Sequence, residues 1–351
     1  MSNRPEQVMS KRAEDNGRHR GLRLRGLAQV GIGVGALALL IIKSDARGLV
    51  EAIKATRVAW LPLAVLASVA VTWLMAYRWG LILAVRGHRM KTSRLFVYYL
   101  IGIFFMNFVP GGGVSGDVAR LLYVDRDVRD KAFVLSTLVY ERMVGLFVLL
   151  LIGLAATLAS RAYLPPGRML YAGEAFLAIA FFASAMLMSE AVSSRLARLA
   201  LRLGGRFRAE RIGQAAARVL GAISELRQHR RMLLTTVLLS FIIRVVWGMG
   251  AYVVARAMGL PLNLLVVFAF ISLVDLIRML PISVGGLGVR EWAMVALFAN
   301  VGIGREQALM FSFLVFAPVL LNAVAGGIIY ISRAGVIRAD RAVGETRSVE
   351  A

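Results

Sequence analysis

Charged side chains inside apolar runs are the first residues here that can do chemistry. Glu141 and Arg142 sit about ten residues into the run Ala132–Ala159. Arg244 falls near the middle of Met232–Ala255, and Asp275 and Arg278 lie one helical turn apart near the end of Leu262–Met279. A charge at the centre of a membrane helix costs about 2.5–3.5 kcal/mol, so each should face a partner or water. Plain explanations exist for three of these groups and for a fourth, Arg78. Asp275 and Arg278 can pair at i,i+3. Arg78 lies about 12 Å by helix rise from Arg86, close enough to snorkel. Glu141 can serve as a fixed partner for Arg142 or Arg244, or, with its proton affinity raised by desolvation, as a proton carrier. Arg244 is too deep to snorkel, and its expected work is to hold an anion.

Two Gly/Pro-rich breaks interrupt apolar stretches. Leu95–Val109 runs into NFVPGGGVSG at Asn107–Gly116, and Leu262–Ile277 runs into LPISVGGLG at Leu280–Gly288. Each break leads into charge: Asp117 and Arg120 after the first, Arg290 and Glu291 after the second. Irregular backbone at membrane depth survives only where protein or trapped water satisfies its polar groups. Glycine lets the chain turn sharply and lets a ligand approach the backbone. A helix starting after such a break aims free N–H groups and a partial positive charge at the gap, a geometry suited to phosphate. The anion is therefore expected at Val114–Asp117 and Leu287–Arg290. The competing explanation is that these glycines only permit close helix packing.

The elements that must position these groups follow from composition. The chain has 351 residues, 59% hydrophobic and 18% charged, with mean hydropathy +0.71. Soluble domains are about 45–50% apolar and about 25% charged, and disorder needs low hydrophobicity. The pattern is that of an all-α polytopic membrane protein. Runs of about 20 apolar residues mark spans: Leu27–Ile42, Val58–Val85, Ala132–Ala159, Met169–Met188, Met232–Ala255 and Gln307–Ser332. The broken stretches read as re-entrant hairpins, giving six spans and two hairpins. With that layout most of the 42 Lys and Arg fall on the side of the basic tail 1–26. The positive-inside rule then puts both termini in the cytoplasm. The reading is a plasma (inner) membrane protein whose tail 333–351 is cytoplasmic. Leu27–Ile42 also resembles a secretory signal, but no convincing small-x-small cleavage site follows before Lys43, so a retained anchor is expected.

The order span, broken hairpin, span occurs twice, at about 58–160 and 232–332, and in this topology the two units point in opposite directions. Interrupted segments at corresponding positions of inverted halves point to a transporter's binding site. Between the units, 189–231 carries ten arginines. Val192, Leu196, Leu199 and Leu203 recur there at helical spacing with Arg195, Arg198 and Arg202 between them. A cationic amphipathic helix on anionic lipid and a solvated linker both fit. Glu174, near the start of its span, is expected at the interface.

Cysteine is absent, and His19, His88 and His229 lie in polar basic stretches. No thiolate chemistry, metal site or cofactor is expected, and neither zinc-protease, nucleotide-loop nor nucleophile-elbow motifs occur. The net charge of +22 lacks the aromatic-interleaved basic module that nucleic acid would need. Anionic lipid is the expected partner.

Three motifs in order, Val109–Arg120, Tyr140–Gly145 (YERMVG) and Leu280–Glu291, resemble those of the membrane domain of lysylphosphatidylglycerol synthase/flippase proteins over about Val58 to Ser332. The resemblance implies a flippase-like domain that moves lipids with large polar headgroups between leaflets. Its motif positions are Pro110, Gly112, Gly116, Asp117, Arg120, Glu141, Arg142, Pro281, Gly285, Gly286, Gly288, Arg290 and Glu291. Two-domain members add a soluble domain that transfers an aminoacyl group from tRNA. Only nineteen residues, Arg333–Ala351, follow the last run, so that synthesis is not expected. The expectation is a non-enzymatic lipid flippase using these positions with Arg78, Arg244, Asp275 and Arg278. Two alternatives stand beside it. One is a glycosyltransferase or headgroup transferase with a lipid-linked donor, using Asp117 and Glu291. The other is a non-catalytic partner that docks a cell-envelope enzyme through the arginine-rich segment 189–231; a homo-oligomer is a further partner the chain could take.

Overall fold

The structure is a computed structural model that describes residues 44–128, 130–164, 167–187, 228–279 and 283–349, with scattered positions within 31–42 and 192–226. Its described elements are helical: α1 (Ala46–Ala55), α2 (Leu61–Leu83), α3 (Thr92–Phe108), α4 (Gly113–Val128), α5 (Lys131–Ala159), α6 (Arg168–Leu187), α7 (Arg230–Ala257), α8 (Leu264–Arg278), α9 (Val289–Ala299) and α10 (Arg305–Val349). Local sequence sets several ends. Asp130 accepts the amide of Phe133 at 3.0 Å to cap α5, and Asn263 accepts Leu265 N at 2.9 Å to cap α8. Both satisfy donors that a helix start leaves orphaned.

Four helical stretches, Val58–Arg86, Lys131–Ala159, Arg230–Ala257 and Arg305–Ser332, are long and apolar enough to cross a bilayer. The expected run Met169–Met188 is helix α6, whose apolar part, Tyr171–Met186, is shorter. Leu27–Ile42 falls largely outside the described residues, as does most of 189–231. The outer surface is apolar: Phe176, Ile179, Phe182 and Met186 form an exposed stripe along α6, and Leu63, Leu66 and Trp73 lie exposed on α2. Large apolar groups outside and polar groups within suit a hydrocarbon solvent, where hydrophobic burial gives no drive and close packing and polar pairs hold helices together.

The packing crosses between the two halves of the chain. α2 lies against α7, α3 against α10, and α5 against α8. Along the first contact, Arg57 N donates to Ala257 O at 2.7 Å, Ala67 faces Gly250, and Arg78 reaches Ser240. Rising residue number on α2 meets falling number on α7, so these two helices are antiparallel. Small residues allow the tightest crossings. A Cβ on Gly326 would collide with the backbone of Leu100, and one on Gly116 would fall 2.6 Å from Gly102 O. Gly116 thus serves helix packing between α3 and α4.

Candidate functional site

The first break folds α4 back along α3. Ser115 Oγ lies within donating distance of Phe105 O at 2.9 Å and Gly112 O at 2.7 Å, tying the start of α4 to the end of α3 and to the turn between them. The second break turns on Gly285 and Gly286, at φ 61° and 79°, values that L side chains rarely adopt. The two breaks meet: a Cβ on Gly285 would sit 3.1 Å from Asn107 Oδ1. Around this junction lies one cavity of about 420 Å³. Its lining comes from all four long spans, from both breaks, and from α3, α4 and α8.

Five arginines and three carboxylates line it: Arg78, Arg120, Arg142, Arg244, Arg278, Asp117, Glu141 and Asp275. They form three groups. In the first, Glu141 takes Arg78 Nη2 at 2.7 Å on one oxygen and Arg120 Nη2 at 2.5 Å on the other. Tyr99 donates its hydroxyl to the same carboxylate, and Arg78 Nη1 bonds Ser240 at 2.6 Å. Arg120 stacks on Tyr99 and Trp79, 3.9 and 4.3 Å from the ring centres. Arg78, Arg120 and Glu141 are 4%, 8% and 4% exposed. Arg78 therefore does not snorkel, and the partners of Glu141 are Arg78 and Arg120 rather than Arg142 or Arg244.

In the second group Arg142 pairs with Asp117 and donates to Gly113 O at 2.8 Å. A Cβ on Gly113 would meet that guanidinium at 2.5 Å. The glycine makes room for the arginine across the start of α4. In the third group Asp275 receives Arg244 at 2.8 Å and Arg278 at 3.3 Å. The i,i+3 pair is present, and Arg244 completes it from α7. These side chains are 25%, 17% and 14% exposed, respectively for Arg244, Arg278 and Asp275. Arg278 lies across Gly286, where a Cβ would come 2.8 Å from its Cγ.

Other expected site residues fall elsewhere. Gly112, Gly116, Gly285 and Gly286 line the cavity, whereas Pro110, Gly288, Arg290 and Glu291 do not. Pro281 lies outside the described residues. Glu291 is fully buried and accepts Gly288 N at 2.7 Å, while Arg290 pairs with it and reaches Ser312 at 3.0 Å. The start of α9, where an anion was expected, holds its own carboxylate. Glu174 pairs with Arg161 at 2.5 Å.

The pattern reading missed Ser68, Thr72, Tyr99, Ser240, Trp247, Ser283 and Asn322, all in the lining. Ser68 and Thr72 at i,i+4 share a helix face, and Asn322 donates to both at 3.1 and 3.2 Å. A polar pair at that spacing and a lone asparagine within apolar spans were the available signals. Among the described residues no cluster of His, Cys, Asp and Glu suits a metal ion.

The sequence profile described as lysylphosphatidylglycerol synthase TM region matches residues 26–326. A UPF0104 membrane protein of Methanothermobacter thermautotrophicus is similar to this chain at 22% identity over 294 residues, which is 80% of this chain and 86% of that protein. No solved structure matches.

Proposed function

This chain belongs to the lysylphosphatidylglycerol synthase TM region family, and from that premise we propose that it binds the anionic headgroup of a lipid in its central cavity and moves that lipid between leaflets. The observation that carries the reading is the meeting of both glycine breaks and Arg244 in one cavity lined by all four long spans. An unaided headgroup crossing hydrocarbon loses its hydration. A charged hollow among the spans supplies replacement partners while acyl chains stay in the bilayer.

The two units, α2–α5 and α7–α10, are in this reading inverted repeats whose broken hairpins re-enter the membrane. Antiparallel α2 and α7 support the inversion. So does the reciprocal packing, with the short helix before each break lying on the last span of the other unit. The protein sits in the plasma membrane with both termini cytoplasmic, the side favoured by its arginines. It acts without catalysis. A transferase mechanism needed Asp117 and Glu291 to work together, and Glu291 lies outside the cavity, engaged with Gly288 and Arg290. Transport is passive or ion-driven in this reading.

The test is reconstitution of the full chain in liposomes with labelled anionic lipids. Headgroup accessibility to a membrane-impermeant quencher should equilibrate faster with protein than without. Equal rates across anionic lipids overturn the proposal.

A further inference from the structure

The cavity's charged groups differ in exposure and in the neutral donors that share their hollow. Glu141 is engaged by two arginines and a tyrosine, and Asp117 pairs with Arg142 and, at 3.7 Å, with Arg120. At the third group one carboxylate, Asp275, serves both Arg244 and Arg278. In the cavity lining, Arg278 Nε, Trp247 Nε1 and Ser283 Oγ are buried and make no hydrogen bond among the described residues. The same holds for Arg78 Nε and Arg120 Nε in the first group, where no neutral side-chain donor is left unmet beside them. Ser283 is 5% exposed. All of these residues line the same cavity.

Guanidinium and indole nitrogens can only donate, and a serine hydroxyl can donate as readily as accept. A buried donor without a partner costs about 1–3 kcal/mol. Several such donors around one hollow fit an occupant that brings several acceptors and no obligatory donor. That description excludes a cation and fits an oxyanion. Charge narrows it further. Five arginines against three carboxylates leave two positive charges in the lining. In a medium of low dielectric an uncompensated charge is costly, so the occupant that balances the cavity carries two negative charges. A phosphate monoester carries about −1.5 to −2 at pH 7, with its second ionisation near pH 6. A phosphodiester retains a single ionisable oxygen.

Resting on the lipid-binding reading above, we propose that Arg244, Trp247, Arg278 and Ser283 form an oxyanion subsite for a terminal phosphate monoester. Phosphodiester headgroups are the disfavoured class. Gly286 is part of the subsite because its missing side chain lets Arg278 lie across the break.

The experiment uses the full chain in phosphatidylcholine nanodiscs at pH 8, titrated with phosphatidic acid, phosphatidylglycerol or inorganic phosphate and read by native mass spectrometry and thermal shift. Phosphatidic acid should bind at least about tenfold more tightly than phosphatidylglycerol, as loss of one charge-assisted contact implies. Arg278→Gln and Ser283→Ala should each weaken phosphatidic acid binding about tenfold or more. Trp247→Phe keeps the ring and removes only the donor, so it remains informative if Arg278→Gln unfolds. Displacement of phosphatidic acid by inorganic phosphate supports the subsite with a soluble ion as occupant. Retention of the lipid supports a lipid-borne phosphate. Equal affinity for the two lipids, or undiminished binding in both Ser283→Ala and Trp247→Phe, overturns the proposal. Selective binding without any acceleration of lipid movement overturns the transport reading alone and leaves the subsite standing.

Discussion

Two arginine clusters share one cavity and are built for different ends. Arg78 and Arg120 clasp Glu141 from opposite sides, stacked on aromatic rings and almost inaccessible. Arg244 and Arg278 share Asp275 at an edge several times more exposed, in a cavity where the neutral donors Trp247 Nε1 and Ser283 Oγ are unmet. The same residue types in the same cavity therefore give a strut in one place and a receptive surface in the other. Each cluster centres on one carboxylate for two arginines, and what separates them is burial and the further acceptors of the first, Ser240 for Arg78 and Asp117 for Arg120. Glu141 comes from α5, the last long helix of the first unit. The last long helix of the second, α10, presents Phe316 beside Arg290, 3.9 Å from its ring centre, and Ser312. It adds no carboxylate to the Arg244 group.

The widest gap between the clusters should appear on deleting their carboxylates. Glu141→Gln strands two buried guanidinium groups and should cost about 3–5 kcal/mol, the range for breaking a buried ion pair. Asp275→Asn leaves its arginines beside the cavity and should cost about 1–2 kcal/mol. Thermal or chemical unfolding in detergent measures both, and equal losses would break the distinction. The Asp275→Asn protein should also bind a doubly charged anion more tightly, because one competing negative charge is gone.

A smaller effect comes from the break that supports Arg278. Gly286→Ala meets a positive φ and a close contact with the Arg278 stem, and should cost about 1–3 kcal/mol by backbone strain. Its larger consequence is displacement of Arg278 and loss of anion binding. Gly112→Ala, at φ 54° with open space around its Cβ, should show comparable strain with binding retained. Loss of binding in both variants would mean that the breaks matter as hinges rather than as a cradle.

The smallest effect belongs to the exposed pair at the end of the first long span. Arg86 bonds Glu225 at 2.5 Å and holds its carboxyl below the usual range, chiefly through that hydrogen bond. A depressed folded-state value means stability that is present above the unfolded value, near pH 4, and lost as pH falls through the folded one. Both partners are more than a third exposed, or nearly so, so solvent screening limits the pair to under about 0.5 kcal/mol. Glu225→Gln should flatten the acid limb of the stability curve slightly and leave ligand binding unchanged. A loss as large as that of Glu141→Gln would contradict the role given to burial.

Much of the fold was legible because membrane solvent imposes a simple code. Apolar runs placed Val58–Val85, Ala132–Ala159, Met232–Ala255 and Gln307–Ser332 within about two residues of the helical stretches found. Glycine and proline marked both breaks, since glycine tolerates the positive φ of a sharp turn and proline cannot continue a helix. The charged candidates were legible for a related reason: insertion cost makes a central Arg or Glu conspicuous.

Pairing was not legible. Adjacent Glu141 and Arg142 point to different partners, because successive residues on a helix face about 100° apart and different neighbours wait on each side. Nor could spacing reveal that Glu291 caps its own helix while Asp117 lines the cavity, since both simply follow a glycine break by a few residues. The sequence alone determined which residues had to be sheltered from lipid. The tertiary structure decided which of them shelter one another and which are left facing the hollow. That division depends on helix crossings set by Gly116, Gly250 and Gly326, contacts between residues far apart in the chain that no local pattern encodes.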